Sequence, residues 1–152
     1  MSKISEVVDM PRSWWIKLGA ETADDIIVHT KEKRLDVYGR KFDRLDPEYA
    51  KRKASGKIRR ADTSSKGANL WLTGDMLSDL NVRRVTDKSV VIGWGIPESR
   101  KVVGNAERGR VITTAKNPLS KAVEKKVQKA IDRQTQKNIA KNNTVNRIKL
   151  GR

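Results

Sequence analysis

The side chains best suited to acid–base or metal chemistry are scarce in this sequence. His29 is the single histidine, and the 152 residues include no cysteine. A thiol nucleophile is therefore excluded, and a histidine triad or a multi-histidine metal site lacks the residues it needs. His29 falls late in a predicted helix, where we expect a surface or helix-capping residue.

Acidic residues cluster at two places. Asp24 and Asp25 are adjacent, and Asp43, Asp46 and Glu48 form the second cluster. Paired carboxylates can perform acid–base work or hold magnesium, but these lie among Lys and Arg and near predicted helix starts, which favours local charge pairing. No GxxxxGK[ST] phosphate loop occurs. We predict a protein that is not an enzyme and binds no cofactor or metal; a magnesium-dependent hydrolase using the second cluster is the catalytic alternative.

Positive charge dominates the composition. The sequence has 34 Lys and Arg against 18 Asp and Glu, a net charge of +16, and so large an excess repels itself in an isolated fold. Residues 1–50 carry 9 basic and 10 acidic groups, whereas residues 101–152 carry 14 and 3. This asymmetry predicts a polyanionic partner, nucleic acid being the commonest, or a place beside acidic proteins in a larger assembly.

Two groups of basic residues could present phosphate-binding side chains together. One follows Pro47, and the other lies on the predicted last helix, at a spacing of four on one face. The candidate contacts with DNA or an acidic partner are Lys51, Arg52, Lys53, Lys57, Arg59, Arg60, Lys121, Lys125 and Lys129. Since an RNP-like aromatic ladder and zinc-finger ligands are lacking, contact with nucleic acid would be independent of base sequence. A lysine-rich helix face can also be a plain solvated surface.

Tryptophans are the candidate contacts between subunits. They are Trp14, Trp15, Trp71 and Trp94. The first two are neighbours in a predicted helix and cannot both face the same way, so one of them could contact another subunit.

The apolar spacing of the N-terminal half predicts the elements that position these residues. Residues 13–33 have the periodicity of an amphipathic helix. Residues 35–42 are expected to form a short strand pair around Gly39, and Pro47 is expected to begin a short helix. Residues 54–68 are rich in Gly, Ser, Lys and Arg, which is typical of a mobile basic loop.

The C-terminal half continues with a short helix over residues 74–80, capped by Thr73, with Met76, Leu77 and Leu80 facing inward. Valine runs on both sides of Asp87-Lys88 predict a β-hairpin over residues 81–94.

Residues 98–116 are interpreted as a long loop. A helix is expected to start at Asn117-Pro118 and end near residue 140. Residues 142–152 form a basic tail that we expect to be disordered alone.

These elements predict one α+β domain over residues 1–141. It would combine a small twisted antiparallel sheet with a long N-terminal helix and a C-terminal helix. The sequence contains no apolar run of membrane-spanning length, and its N-terminal residues lack the apolar stretch of a secretory signal. We therefore expect a soluble protein with no membrane partner.

Four blocks in the middle of the chain occur in a recognisable order. They are Gly39-Arg40-Lys41-Phe42, Pro47-Glu48-Tyr49-Ala50-Lys51-Arg52-Lys53, Leu72-Thr73-Gly74-Asp75-Met76-Leu77 and a Val-rich hairpin ending at Ile92-Gly93. Together they resemble the tail-completion or neck proteins of tailed bacteriophages.

The resemblance implies an α+β subunit without catalytic activity. It implies a homo-oligomeric ring at the head–tail junction, around the channel through which genomic DNA passes, in contact with portal or adaptor and tail proteins. The protein would then reside in the virion, and in the host cytoplasm during assembly. The alternative hypothesis is a non-specific nucleic-acid-binding protein.

Overall fold

The computed structural model describes residues 10–57, 70 and 74–150, with side chains up to residue 143. In chain order, the elements are α1 (Arg12–Lys31), α2 (Pro47–Ala54), α3 (Asp75–Ser78), β1 (Asn81–Val85), β2 (Val90–Gly93), α4 (Ile96–Ala106) and α5 (Lys121–Leu150). The two strands pair in an antiparallel sheet. The predicted α+β fold, with a small antiparallel sheet and long first and last helices, is confirmed.

Helix α5 lies antiparallel along α1. Near the start of α5, Lys126 forms an ion pair with Asp25. Further along, Asn138 Nδ2 lies 3.7 Å from Met10 Sδ. Residue numbers therefore rise along one helix as they fall along the other. Val123, in the first turn of α5, is only 3% exposed, which defines the buried side of that helix.

The β-hairpin packs closely against α1 at Gly19. A Cβ atom at Gly19 would lie 2.6 Å from Val90 Cγ2 and 2.7 Å from Val82 Cγ2. At the hairpin turn, Trp15 Nε1 donates a hydrogen bond of 3.0 Å to the carbonyl oxygen of Asp87. The missing side chain of Gly19 is therefore what allows the two valines to reach the helix backbone.

The central hydrophobic cluster joins α3, α4 and the segment after α4. Its buried members are Met76, Leu77, Val102 and Ile112, of which Leu77 is fully buried. Residues from α1, together with Leu70 and Trp94, pack against this cluster. The predicted inward orientation of Met76, Leu77 and Leu80 is confirmed, since all three are buried.

Asp79, the residue that ends α3, joins three elements through its carboxylate. The amide of Gly95, just before α4, donates to Asp79 Oδ2 at 2.6 Å. Arg83 of β1 forms a 2.8 Å ion pair with the same oxygen, and its Nε donates to the carbonyl of Gly93 in β2. The hydrogen bonds from Gly95 and Arg83 lower the pKa of Asp79 below its usual value.

The prediction of a long loop over residues 98–116 is wrong in its first half, where α4 covers Ile96–Ala106. Pro97 lies in the first turn of this helix, where its missing amide proton costs no intrahelical hydrogen bond. Glu98 adds a carboxylate to the same turn, next to the positive end of the helix dipole. The internal Gly104 and the surrounding basic residues conceal this helix in the sequence.

The predicted start of the last helix is also wrong. The N-cap is Ser120, whose Oγ accepts a hydrogen bond of 3.4 Å from the amide of Val123. Asn117 instead belongs to a preceding turn, where its amide donates to Thr114 Oγ1 at 2.8 Å. The proline after Asn117 therefore lies outside the helix.

The predicted end of this helix near residue 140 is wrong as well, because α5 continues to Leu150. A disordered tail over residues 142–152 is thus not observed for residues 142–150. Neither proline nor glycine, the strongest helix breakers, occurs between Pro118 and Gly151. Most of the predicted loop over residues 54–68 lies outside the described residues. The predicted cap Thr73 is wrong, because the N-cap of α3 is Gly74.

Replacing Gly19 with alanine should destabilise the protein by about 1–3 kcal/mol, because two valines must move to admit the new methyl group. This reverses the usual helix preference, in which alanine is favoured over glycine by about 1 kcal/mol. Gly104→Ala is the matched control, since a Cβ there meets nothing within 4 Å, and it should stabilise by about 0.5–1 kcal/mol. Urea denaturation measures both changes; equal stabilisation would contradict the close packing.

The stability of the fold should decrease as acid protonates Asp79. Because its folded-state pKa lies below the ordinary 3.8, its contribution is complete above that value and is lost as the pH falls through the folded-state pKa. Asp79→Asn should therefore melt below the wild type at neutral pH, and the gap should close as the pH falls below 3.8 and Asp79 of the folded wild type becomes protonated. Melting temperatures across this range test the expectation, and a gap independent of pH would refute it.

Candidate functional site

One residue of each acidic cluster makes a defined contact within the fold. Asp46 is the N-cap of α2, where its Oδ1 accepts a hydrogen bond of 3.0 Å from the amide of Tyr49, and Glu48 lies in the first turn. Asp25 is paired with Lys126. Within the described part of the chain, no group of three or more His, Asp or Glu residues is arranged to hold a metal ion. Helix capping and ion pairing thus account for Asp46 and Asp25 without invoking catalysis.

His29 is buried, so the prediction of a surface or capping residue is wrong. Its Nε2 lies 3.0 Å from the carbonyl oxygen of Asp36, and because a carbonyl can only accept, Nε2 carries the proton. The Asp36 carboxylate is also buried and accepts hydrogen bonds from the amides of Tyr38 and Arg40. His29 therefore anchors the turn that follows α1.

The predicted strand pair around Gly39 is present as a single antiparallel bridge between Leu35 and Lys41. Gly39 has φ of +82°, in the left-handed region that glycine adopts without strain. The Arg40 guanidinium closes the turn with an ion pair to Asp36 at 2.8 Å.

The first basic group is only partly a surface. Lys51, Arg52 and Lys57 are exposed. Lys53 is 3% exposed and is engaged within the chain, so it does not present its ammonium group to a partner as predicted. Arg59 and Arg60 lie outside the described residues.

The second basic group is a continuous surface. Lys121, Lys125 and Lys129 are all exposed on α5. Burial of Val123 and the ion pair between Lys126 and Asp25 hold another side of α5 against the protein. The structure therefore brings these three predicted residues together on one outward side of a helix.

Most of the described tryptophans pack or form hydrogen bonds within the chain. Trp14 and Trp15 form an edge-to-face pair with ring centroids 5.0 Å apart, and Trp15 is bonded to the hairpin turn. Trp94 packs against the central hydrophobic cluster. Intrachain contacts explain Trp15 and Trp94, Trp71 lies outside the described residues, and the predicted subunit contact through Trp14 stays a prediction.

The sequence interpretation missed an exposed apolar surface on α4. Ile96 is 74% exposed and Val103 is 58% exposed. They are seven positions apart, which places both on one side of the helix; we call this pair the α4 apolar face. The sequence signal for this face was the seven-residue spacing of Ile96 and Val103. It was concealed because residues 98–116 were interpreted as a loop.

Comparison with known proteins found no matching family model, no matching curated protein and no matching solved structure. The family resemblance accordingly depends on the four sequence blocks alone. Among the described helices, none combines the length and apolar character required to cross a membrane.

Asp46→Ala should lower the free energy of unfolding by about 1 kcal/mol, because it removes the N-cap of α2. Asp43→Ala, a neighbouring exposed carboxylate, is the control and should change stability little. We expect Mg²⁺ to leave the melting temperatures of both variants and the wild type unchanged. If Mg²⁺ raised the melting temperature of the wild type alone, the cluster would be a metal site and not a helix cap.

Proposed function

We propose that this chain is a structural subunit of the tailed-phage head–tail junction, where it assembles as a ring around the DNA channel and docks the tail. The observation that carries the proposal is the coexistence, on one small domain, of an exposed apolar face and a separate basic surface. The apolar face suits contact between copies, whereas the basic surface suits a polyanionic neighbour. The resemblance of the four sequence blocks to those of neck proteins is the reason for proposing this family.

A second copy of this chain is the partner that best fits the α4 apolar face. The charges on α4 are mixed: Glu98 pairs with Lys101 at 2.7 Å, and Arg100, Glu107 and Arg108 are exposed nearby in the sequence. Mixed charge allows like molecules to approach, whereas two basic α5 surfaces would repel each other. An apolar centre with a polar rim is also the usual composition of a subunit interface.

The proposed role of the subunit is structural: it contacts neighbouring copies and presents docking surfaces. Each copy would contact its neighbours through α4, and the completed ring would present docking surfaces for portal or adaptor proteins on one side and tail proteins on the other. Basic residues would face DNA in the channel or an acidic neighbouring ring. A moderate number of phosphate contacts would allow DNA to pass, because sequence-independent electrostatic contacts let a protein slide along DNA.

A sequence-independent nucleic-acid-binding protein is the second candidate function. The exposed lysines of α5 favour it directly. The two candidates differ in solution: a ring subunit forms a discrete oligomer and binds DNA weakly at about 0.2 M salt, whereas a dedicated binder remains tightly bound under these conditions.

Mutation of the α4 apolar face should abolish oligomerisation. We expect the wild type to form one discrete oligomer larger than a dimer in native mass spectrometry, and Ile96→Gln/Val103→Gln to be a folded monomer. Ile16→Gln/Tyr38→Gln removes two other exposed apolar residues and should preserve the oligomer.

The virion assignment has its own test. Purified phage particles should contain the chain in many copies by quantitative mass spectrometry. A wild type that is monomeric at its highest soluble concentration, or particles without this chain, would contradict the proposal.

A further inference from the structure

The sequence of α5 has a four-residue repeat that continues well past Lys129. Residues 121–144 divide into KAVE, KKVQ, KAID, RQTQ, KNIA and KNNT. The first position is basic in every tetrad, and the third is Val, Val, Ile, Thr, Ile and Asn. We call the six first positions the lysine ridge: Lys121, Lys125, Lys129, Arg133, Lys137 and Lys141.

The exposure of the α5 side chains in the folded chain has the same four-residue period. All six ridge residues are exposed, whereas the third positions from Val123 to Ile139 are buried or half-buried. Each step of four residues advances about 6 Å along the helix and about 40° around it. The ridge is therefore a row of cations that winds slowly around the outside of α5.

Acidic residues do not interrupt the ridge. Glu124 and Asp132 occupy fourth positions of their tetrads, about 60° around the helix from the preceding ridge residue and about 100° from the following one. Asp132 accepts a hydrogen bond of 2.8 Å from Gln128 of the same row. The six ridge residues make no ion pair with any other residue that the structure describes.

The composition of this surface favours nucleic acid over protein as its partner. Lysine is depleted at the centres of protein–protein interfaces, which depend on aromatic, Met and Arg anchors. The exposed residues of α5 up to residue 143 include no aromatic residue and no apolar residue larger than alanine. An extended row of lysines without an apolar anchor suits a repeating charge such as the phosphates of nucleic acid.

We infer that the lysine ridge binds the phosphate backbone of nucleic acid without reading its bases. Because the ridge turns by about 40° per step, its first four residues lie within about 120° and can face one duplex together. About four phosphate contacts predict that log K falls with log salt at a slope of about −3.6. The inference deepens the second candidate function, on which it rests, by identifying the binding surface, and it applies to a monomer as well as to a ring.

The experiment compares two variants that lose the same charge. The ridge variant replaces four residues of α5 with glutamine, which preserves helix propensity: K121Q, K125Q, K129Q and R133Q. The control variant replaces four exposed lysines elsewhere: K33Q, K41Q, K88Q and K116Q. Fluorescence anisotropy then measures binding of two duplex DNAs of unrelated sequence between about 0.05 and 0.2 M salt. Circular dichroism verifies that both variants are folded.

We expect the ridge variant to lose at least about tenfold in affinity at the lower salt concentration, and most of its salt slope. The control variant should keep most of both, and the two DNA sequences should bind alike. Equal losses in the two variants would overturn the inference, because net charge alone would then explain binding. Tighter binding of polyglutamate than of DNA, lost in the ridge variant, would also overturn it and indicate an acidic protein partner.

The proposed ring assembly and the inferred DNA binding by the lysine ridge can be disproved independently. Oligomeric state tests the proposed function and does not depend on residues 121–133. DNA affinity of the two charge variants tests the ridge, whatever the oligomeric state.

Discussion

Helix α1 is the element against which the rest of the fold is assembled. The hairpin reaches its backbone at Gly19, and α5 lies along it through the pair of Lys126 and Asp25. Its C-terminal end is tied to the following turn by the hydrogen bond from His29 to the carbonyl of Asp36. Because α1 accommodates both the sheet and the last helix, it determines which side of α5 is buried and which side carries cations to the surface.

The structure shows which positive charges are paired within the chain and which are exposed on α5. The described ion pairs neutralise Lys17, Arg40, Arg83, Lys101 and Lys126, each within the chain. The cations of the lysine ridge have no such partners among the described residues, and they repel one another in an isolated molecule. A polyanion that replaces their counterions would relieve this repulsion, which is the physical reason for proposing a nucleic-acid partner.

Local sequence signals predicted the elements that local interactions determine. Pro47 marks the start of α2, and the turn at Asp87-Lys88 between valine runs marks the hairpin, as the structure confirms. The error at α4 arose because Gly104 and a high density of charge resemble a loop, although Pro97 and Glu98 are good first-turn residues. The error at the start of α5 arose because two consecutive capping signals, Asn117 and Ser120, compete.

Contacts between distant segments could not be predicted in the same way. The close approach at Gly19 depends on how the hairpin docks, and the burial of His29 and Lys53 depends on neighbours outside their own helices. The lysine ridge is different, since its period of four is visible in the sequence. The sequence interpretation named only its first three members as candidate contacts, and the structure shows that Arg133, Lys137 and Lys141 continue the same exposed row.

Lysine footprinting by mass spectrometry can show directly whether DNA binds along the lysine ridge. Exposed amines are acetylated in the presence and absence of duplex DNA at low salt, and the modified residues are quantified. We expect DNA to protect Lys121, Lys125 and Lys129, while Lys17, Lys88 and Lys116 continue to react. Equal protection of all six lysines, or protection of the second group alone, would contradict this expectation.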